Sequence, residues 1–137
     1  MILLDTGPLV ALFDPRDRAH EACVRRFGAV GVGGLQATTA VLTETFYLLA
    51  GRSGRPAPLR RLISDGDIAV RFGDDAELRR AFELVEQYAD LPMDFADATI
   101  IAAAEALGTT KVFTLDRRDF TTYRIHRGHR LLPVEIV

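Results

Sequence analysis

The chain has 137 residues, 48% of them hydrophobic, a formal net charge of −2 and a single cysteine, Cys23. That is one domain's worth of sequence with ample material for a core; it excludes an internal disulfide and a uniformly basic nucleic-acid clamp. No apolar run reaches membrane-spanning length and no basic-apolar-small signal opens the chain, so the expectation is a cytoplasmic protein with no membrane partner. Of its 17 basic residues only Lys111 is not Arg, the side chain that grips phosphate bidentately, although a GC-rich genome produces the same bias.

Ile2 to Leu4 is an apolar strand ending on Asp5, and Gly7-Pro8 opens a short helix through Phe13. Strand, acid and helix in that order place Asp5 at the carboxyl edge of a parallel sheet, where ligands gather, or make it a plain helix cap. The tripeptide Asp5-Thr6-Gly7 matches the aspartic-protease signature, but a chain that alternates helix and strand and lacks a second copy has the wrong fold for it. Asp17 to Phe27 is expected as a second helix. The glycine-rich stretch Gly28 to Gly34 lacks the endings and spacing of a phosphate loop and is expected as a connection.

Leu35 to Thr39 is the second strand, with Thr39 as cap of a helix from Ala40 to Ala50. Glu44 lies about one turn into that helix, which brings it near the edge holding Asp5 if the two strands are parallel neighbours. An Arg-rich turn and short helix follow, with Arg52, Arg55, Arg60 and Arg61. Ile68 to Phe72 is the third strand, and Asp74 to Tyr88 an amphipathic helix with Leu78, Ala81, Phe82, Val85 and Tyr88 inward.

From Phe95 to Leu107 nearly every position is apolar, which predicts a helix buried on most sides and stopped by Gly108. Its first turn nevertheless carries Asp94 and Asp97, three apart and on one face. Asp94 suits an N-cap. Two carboxylates about 4 Å apart repel by roughly 4 kcal/mol at an effective dielectric near 20. No Lys or Arg stands between Asp90 and Lys111 to offset that, and a divalent cation such as Mg²⁺ or Mn²⁺ would. Lys111 to Leu115 is a strand ending on Asp116, with Asp119 in a polar turn. Tyr123 to Arg130 is basic, and Leu131 to Val137 is a terminal edge strand interrupted by Pro133. His20, His126 and His129 have no metal-ligand spacing.

Four motifs, ILLDTGPLVAL, AVLTETFYLLAG, ADATIIAAAEALG and VFTLDRRDF, occur in this order over essentially the whole chain. Together they resemble the PIN-domain ribonucleases, and among them the VapC-like toxins of bacterial toxin–antitoxin pairs. The resemblance implies a single PIN domain over residues 1–137, a three-layer α/β/α fold with a short, mainly parallel central sheet. It implies an acidic quartet of Asp5, Glu44, Asp97 and Asp116 that binds one or two Mg²⁺ or Mn²⁺ ions, with Asp94 and Asp119 beside it and Thr6 as the small hydroxyl residue after the first acid. It also implies a metal-dependent endoribonuclease, a VapB-like antitoxin covering the site, and a homodimer. Arg52, Arg55, Arg60, Arg61, Arg124 and Arg127 are then candidates to hold RNA phosphates. The rival readings are a catalytically silent RNA- or protein-binding module and a metal-dependent nuclease acting on DNA.

Overall fold

The computed structural model describes every residue except Val32, Arg52 and Pro92, so the phosphate contact expected of Arg52 lies outside the described residues. Five short strands, β1 (Ile2–Leu4), β2 (Leu35–Thr38), β3 (Ile68–Arg71), β4 (Lys111–Phe113) and β7 (Glu135–Ile136), form one sheet in the order β3-β2-β1-β4-β7. All its neighbouring pairs are parallel. Parallel strands need crossovers, and the helices supply them: α1 (Thr6–Phe13), α2 (His20–Val30), α3 (Thr39–Leu49), α4 (Pro56–Ser64), α5 (Asp75–Gln87), α6 (Phe95–Leu107) and the one-turn α7 (Arg117–Phe120). α1 packs with α2, α3 and α4, while α6 packs with α5, so the sheet lies between helical layers as expected.

Strand order reverses at β1. β2 and β3 are added on one side and β4 and β7 on the other, which opens a crevice at the carboxyl ends of β1 and β4. The centre of the sheet is buried on both faces, with Leu3, Leu4, Ala37 and Val112 all fully covered. α6 presses Ala98, Ile100, Ile101, Ala103 and Ala104 into the interior, and its alanines let it approach the sheet closely. Removing the Ile100 side chain to Ala should cost about 2–5 kcal/mol. The bounds of α6 are those read from the sequence. Asp94 Oδ1 caps it by accepting from Asp97 N at 2.8 Å, and Gly108 ends it at φ 67°, a left-handed turn that a side chain would strain.

Several elements differ from expectation, each for a local reason. α2 begins at His20, because Asp14 and Asp17 accept from the backbone N–H groups of Arg16 and Ala19 and hold a turn where a helix was expected. It then runs on through Gly28 to Val30, since Phe27 and Val30 pack on the core, and stops at Gly31 with φ 76°. Thr38, not Thr39, caps α3, its Oγ1 accepting from Val41 N at 3.3 Å. α5 turns Ala81 and Leu84 inward and leaves Leu78 and Phe82 exposed, where Phe82 meets the ring of Phe95.

The basic stretch after Tyr123 is half of an antiparallel hairpin, β5 (Arg124–Arg127) and β6 (Arg130–Pro133), joined through Gly128 at φ 62°. The expected terminal strand is therefore divided at Pro133. Its first part pairs with β5, and only Glu135–Ile136 reaches the edge of the main sheet, beside β4.

Candidate active site

Asp5 ends β1 and begins α1, and both roles are built into it. Its Oδ1 accepts from Thr6 N at 2.8 Å, capping the helix, so the cap reading and the strand-edge reading hold together. Its Oδ2 accepts from the Thr114 hydroxyl at 2.7 Å, a bond that ties the first strand to the end of β4. This is why β4 stops at Phe113. Thr114 leaves the ladder to donate to Asp5, and its oxygen accepts from Asp116 N at 3.0 Å. Asp5 is only 8% exposed, and burial, partly offset by those two hydrogen bonds, pushes its carboxyl up to about 6.

Asp97 approaches the same crevice from the first turn of α6. Burial, then repulsion from Asp94 and Asp5, pushes it up to about 7, although the Tyr123 hydroxyl donates to its Oδ2 at 3.0 Å. Asp116 caps α7, accepting from Asp119 N at 3.1 Å, and its charge bears on Asp5 and Asp97. Asp119 is raised by burial and by the neighbouring Asp116 carboxylate. Glu44, half-buried on α3, is raised by burial and then by Asp94, with which it lines a groove between α3 and the start of α6. The charge of Asp94 thus bears on Glu44 as well as on Asp5 and Asp97. The structure brings the acids of the sequence reading to one edge of the sheet, with Glu44 on its flank.

Among the described residues none of these acids makes an ion pair; the three salt bridges join Arg71 to Glu77 and Arg80 to Glu83 and Glu105. Nor do any three carboxylate, imidazole or thiolate groups among them form a ready-made cage for an ion. A hydrated divalent cation needs no such cage, since Mg²⁺ is commonly held by one or two carboxylates and keeps several waters. The residues present fit one. Asp5 and Asp97 offer unneutralised hard oxygens, and next to Asp5 the buried Thr6 hydroxyl finds no hydrogen-bond partner among the described residues.

The arginines divide. Arg55 N donates to the carbonyl of Phe13 at the far end of α1, about 12 Å of helix away from Asp5, and Arg60 and Arg61 follow on α4. That group is placed away from the acids. Arg124 is adjacent to Tyr123 and bends back to donate to the carbonyls of Thr121, Thr122 and Tyr123; Arg127 lies at the distal end of β5. Closer are Arg117 and Arg118, exposed on α7 immediately after Asp116, which sequence reasoning passed over although they stand in the motif VFTLDRRDF. It also missed Thr114 and Tyr123. The hydroxyl two residues before Asp116 was a usable signal for the first; for Tyr123 there was none, because the residue lies on no acidic motif.

A PIN domain model matches residues 2–125. The chain belongs to the PIN-domain family. Ribonuclease VapC26 of Mycobacterium tuberculosis is 30% identical to it over 135 residues, which cover 97% of this chain and 99% of that protein. The crystal structure of VapC20 from the same organism, a toxin that cleaves the sarcin-ricin loop, superposes with a TM-score of 0.75 at 23% identity, over 86% of this chain and 92% of that one. This second likeness bears out the three-layer fold.

Proposed function

We propose that this chain is a VapC-type endoribonuclease that hydrolyses RNA phosphodiester bonds with Mg²⁺ or Mn²⁺ at the crevice between β1 and β4. The observation that carries the reading is the convergence of Asp5, Asp94, Asp97 and Asp116 at that edge, where among the described residues no salt bridge neutralises any of them. Full-length similarity to a ribonuclease of the same family supports it.

Asp5 and Asp97 are the ligands. Their carboxylates are fixed by Thr114 and Tyr123, so the charge they offer a cation is already oriented. When bound, the cation supplies Lewis acidity at the phosphate and lowers the pKa of water towards neutrality. Asp116 and Glu44 flank the pair and would orient the attacking water: its oxygen bonds to phosphorus as the P–O3′ bond breaks, and the proton it gives up ends on the departing 3′ oxygen. Asp94 caps α6 and adds negative charge beside Asp97 and Glu44, and Asp119 steadies Asp116 through its backbone N–H. Arg117 and Arg118 hold the flanking phosphates, with Arg124 behind them.

The family reading further gives the protein a VapB-like antitoxin that covers this crevice, a homodimeric state and a place in the cytoplasm, with residues 1–137 as one PIN domain. Among the described residues no helix is long and apolar enough to cross a membrane.

The test is cleavage of labelled single-stranded RNA and of a tRNA pool, with Mg²⁺ or Mn²⁺ and with EDTA, by the wild type and by Asp97→Asn. Metal-dependent cleavage lost in the variant establishes the site. Preference for single-stranded DNA in the same assay would move the substrate class. A folded wild type inert on every pool would favour the binding-module reading.

A further inference from the structure

Asp97 is held by a side chain that follows α7, four residues after Asp119. Tyr123 lies between α7 and β5, 1% exposed, and its hydroxyl donates to Asp97 Oδ2 at 3.0 Å. The ring has no room to swing. It meets Tyr88 edge-on with centroids 5.2 Å apart, and Phe120 edge-on at 5.1 Å. Tyr88 also fixes the backbone beyond it, because its hydroxyl accepts from Arg124 N at 3.0 Å. Three elements therefore aim one hydroxyl: the end of α5 through Tyr88, α7 through Phe120, and the start of β5.

The target of that aim is chemically specific. Among the described residues Asp97 receives no side-chain donor other than Tyr123, and no bond reaches its Oδ1. A carboxylate beside Asp94 and Asp5 is pushed by both to turn away from them, and a neutral donor on one oxygen opposes that turn without cancelling the charge. Lys or Arg in the same place would hold the carboxylate too, but would neutralise it and repel a cation. A buried tyrosine hydroxyl requires a partner in any case. Here it takes a charged acceptor, the stronger kind of bond.

We propose that Tyr123 is a positioning residue of the metal site, pinning Asp97 Oδ2 so that Oδ1 remains directed at the cation. The inference rests on the reading of Asp97 as a metal ligand. It assigns the aromatic cluster of Tyr88, Phe120 and Tyr123 a task beyond packing, namely to hold one hydroxyl still.

Tyr123→Phe keeps the ring and deletes the hydroxyl, and Tyr88→Phe deletes the neighbouring hydroxyl in the same cluster as a packing control. With the full chain, Mn²⁺ binding is measured by calorimetry and by the electron paramagnetic resonance of free Mn²⁺, alongside melting temperature and the kcat and KM for RNA. Tyr123→Phe should bind Mn²⁺ about 10–100-fold more weakly, with kcat reduced at limiting metal, partly restored by excess Mn²⁺, and KM for RNA unchanged. Tyr88→Phe keeps the edge-on ring contact with Tyr123 and loses only the bond from Arg124 N, so it should weaken Mn²⁺ binding less than Tyr123→Phe does. Equal affinity in Tyr123→Phe and wild type overturns the proposal, and so does an equal loss in both variants, which would assign the effect to packing. A wild type that binds no Mn²⁺ overturns the metal-site reading itself, and this inference with it.

Discussion

The two ends of α6 carry acids in opposite circumstances. At its C-terminal end the Glu105 side chain, 13% exposed, accepts two hydrogen bonds from the guanidinium of Arg80 at 2.7 and 3.1 Å and a third from His126 N at 3.0 Å. At its N-terminal end Asp97 has further acids as neighbours and a neutral phenol as its side-chain donor. A fold that can bring an arginine to one carboxylate could bring one to the other. The contrast separates an acid that fastens α5, α6 and β5 together from one whose charge is left available, and only the second kind suits a cation site.

Substitution at each end breaks that contrast in opposite directions. Asp97→Asn should lower RNA cleavage at least about 100-fold, the equivalent of about 2.7 kcal/mol of transition-state stabilisation. In metal-free protein at pH 8 the same change should raise the melting temperature by a few degrees, because it removes a repelled charge. Arg80→Ala should do the reverse. Stripping Glu105 of its partner should cost about 1–2 kcal/mol, discounted for partial exposure, or roughly 4–8 °C of melting temperature, while Mn²⁺ affinity stays at the wild-type value. Calorimetry and metal titration on both variants decide the matter, and loss of Mn²⁺ affinity in Arg80→Ala would merge the two ends into one site.

Changing pH tests the acids without mutation. Asp5 and Asp97 are pushed up to about 6 and about 7 from 3.8, so across that interval the folded chain binds more protons than the unfolded one. Stability therefore falls as pH rises. The metal-free protein should hold these two groups' full contribution below about pH 4 and lose it by about pH 7, a decline of a few degrees in melting temperature that saturating Mn²⁺ reverses. A melting temperature that climbs over that interval would contradict it. The smallest effect concerns the rim. Replacing Arg117 and Arg118 by Ala should flatten the logarithmic salt dependence of RNA binding by about 1.4, and replacing Arg60 and Arg61 should leave it unchanged.

Much of this was legible in the sequence where local and tertiary forces agree. α6 could be bounded to the residue, because its cap, its apolar run and its closing Gly108 all point the same way. The acids were visible as polar residues at the ends of apolar segments. What could not be read depends on contacts distant along the chain. Leu115 reads as strand, yet β4 ends early because Thr114 answers a carboxylate 109 positions away. Tyr123 reads as the start of a basic loop until the hairpin folds it onto Asp97. The arginines near Arg55 look like a nucleic-acid rim by composition, and only the connection to Phe13 places them at the other end of α1. Leu78 and Phe82 read as core by periodicity, and α5 leaves them at the surface beside Phe95.

The parallel order that puts β1 between β2 and β4 also sets when the two sides of the crevice can meet during synthesis. Asp5 is made 109 residues before Thr114, the hydroxyl that holds it, and Asp97 is made 26 residues before Tyr123. At about 5–20 residues per second that is an interval of seconds in which one half of the crevice waits for the other. A fragment released before Tyr123 would carry acids with nothing to hold them in register. On the proposed reading, the crevice is incomplete until Thr114 and Tyr123 have been made, and its partner has a complete surface to cover only after that.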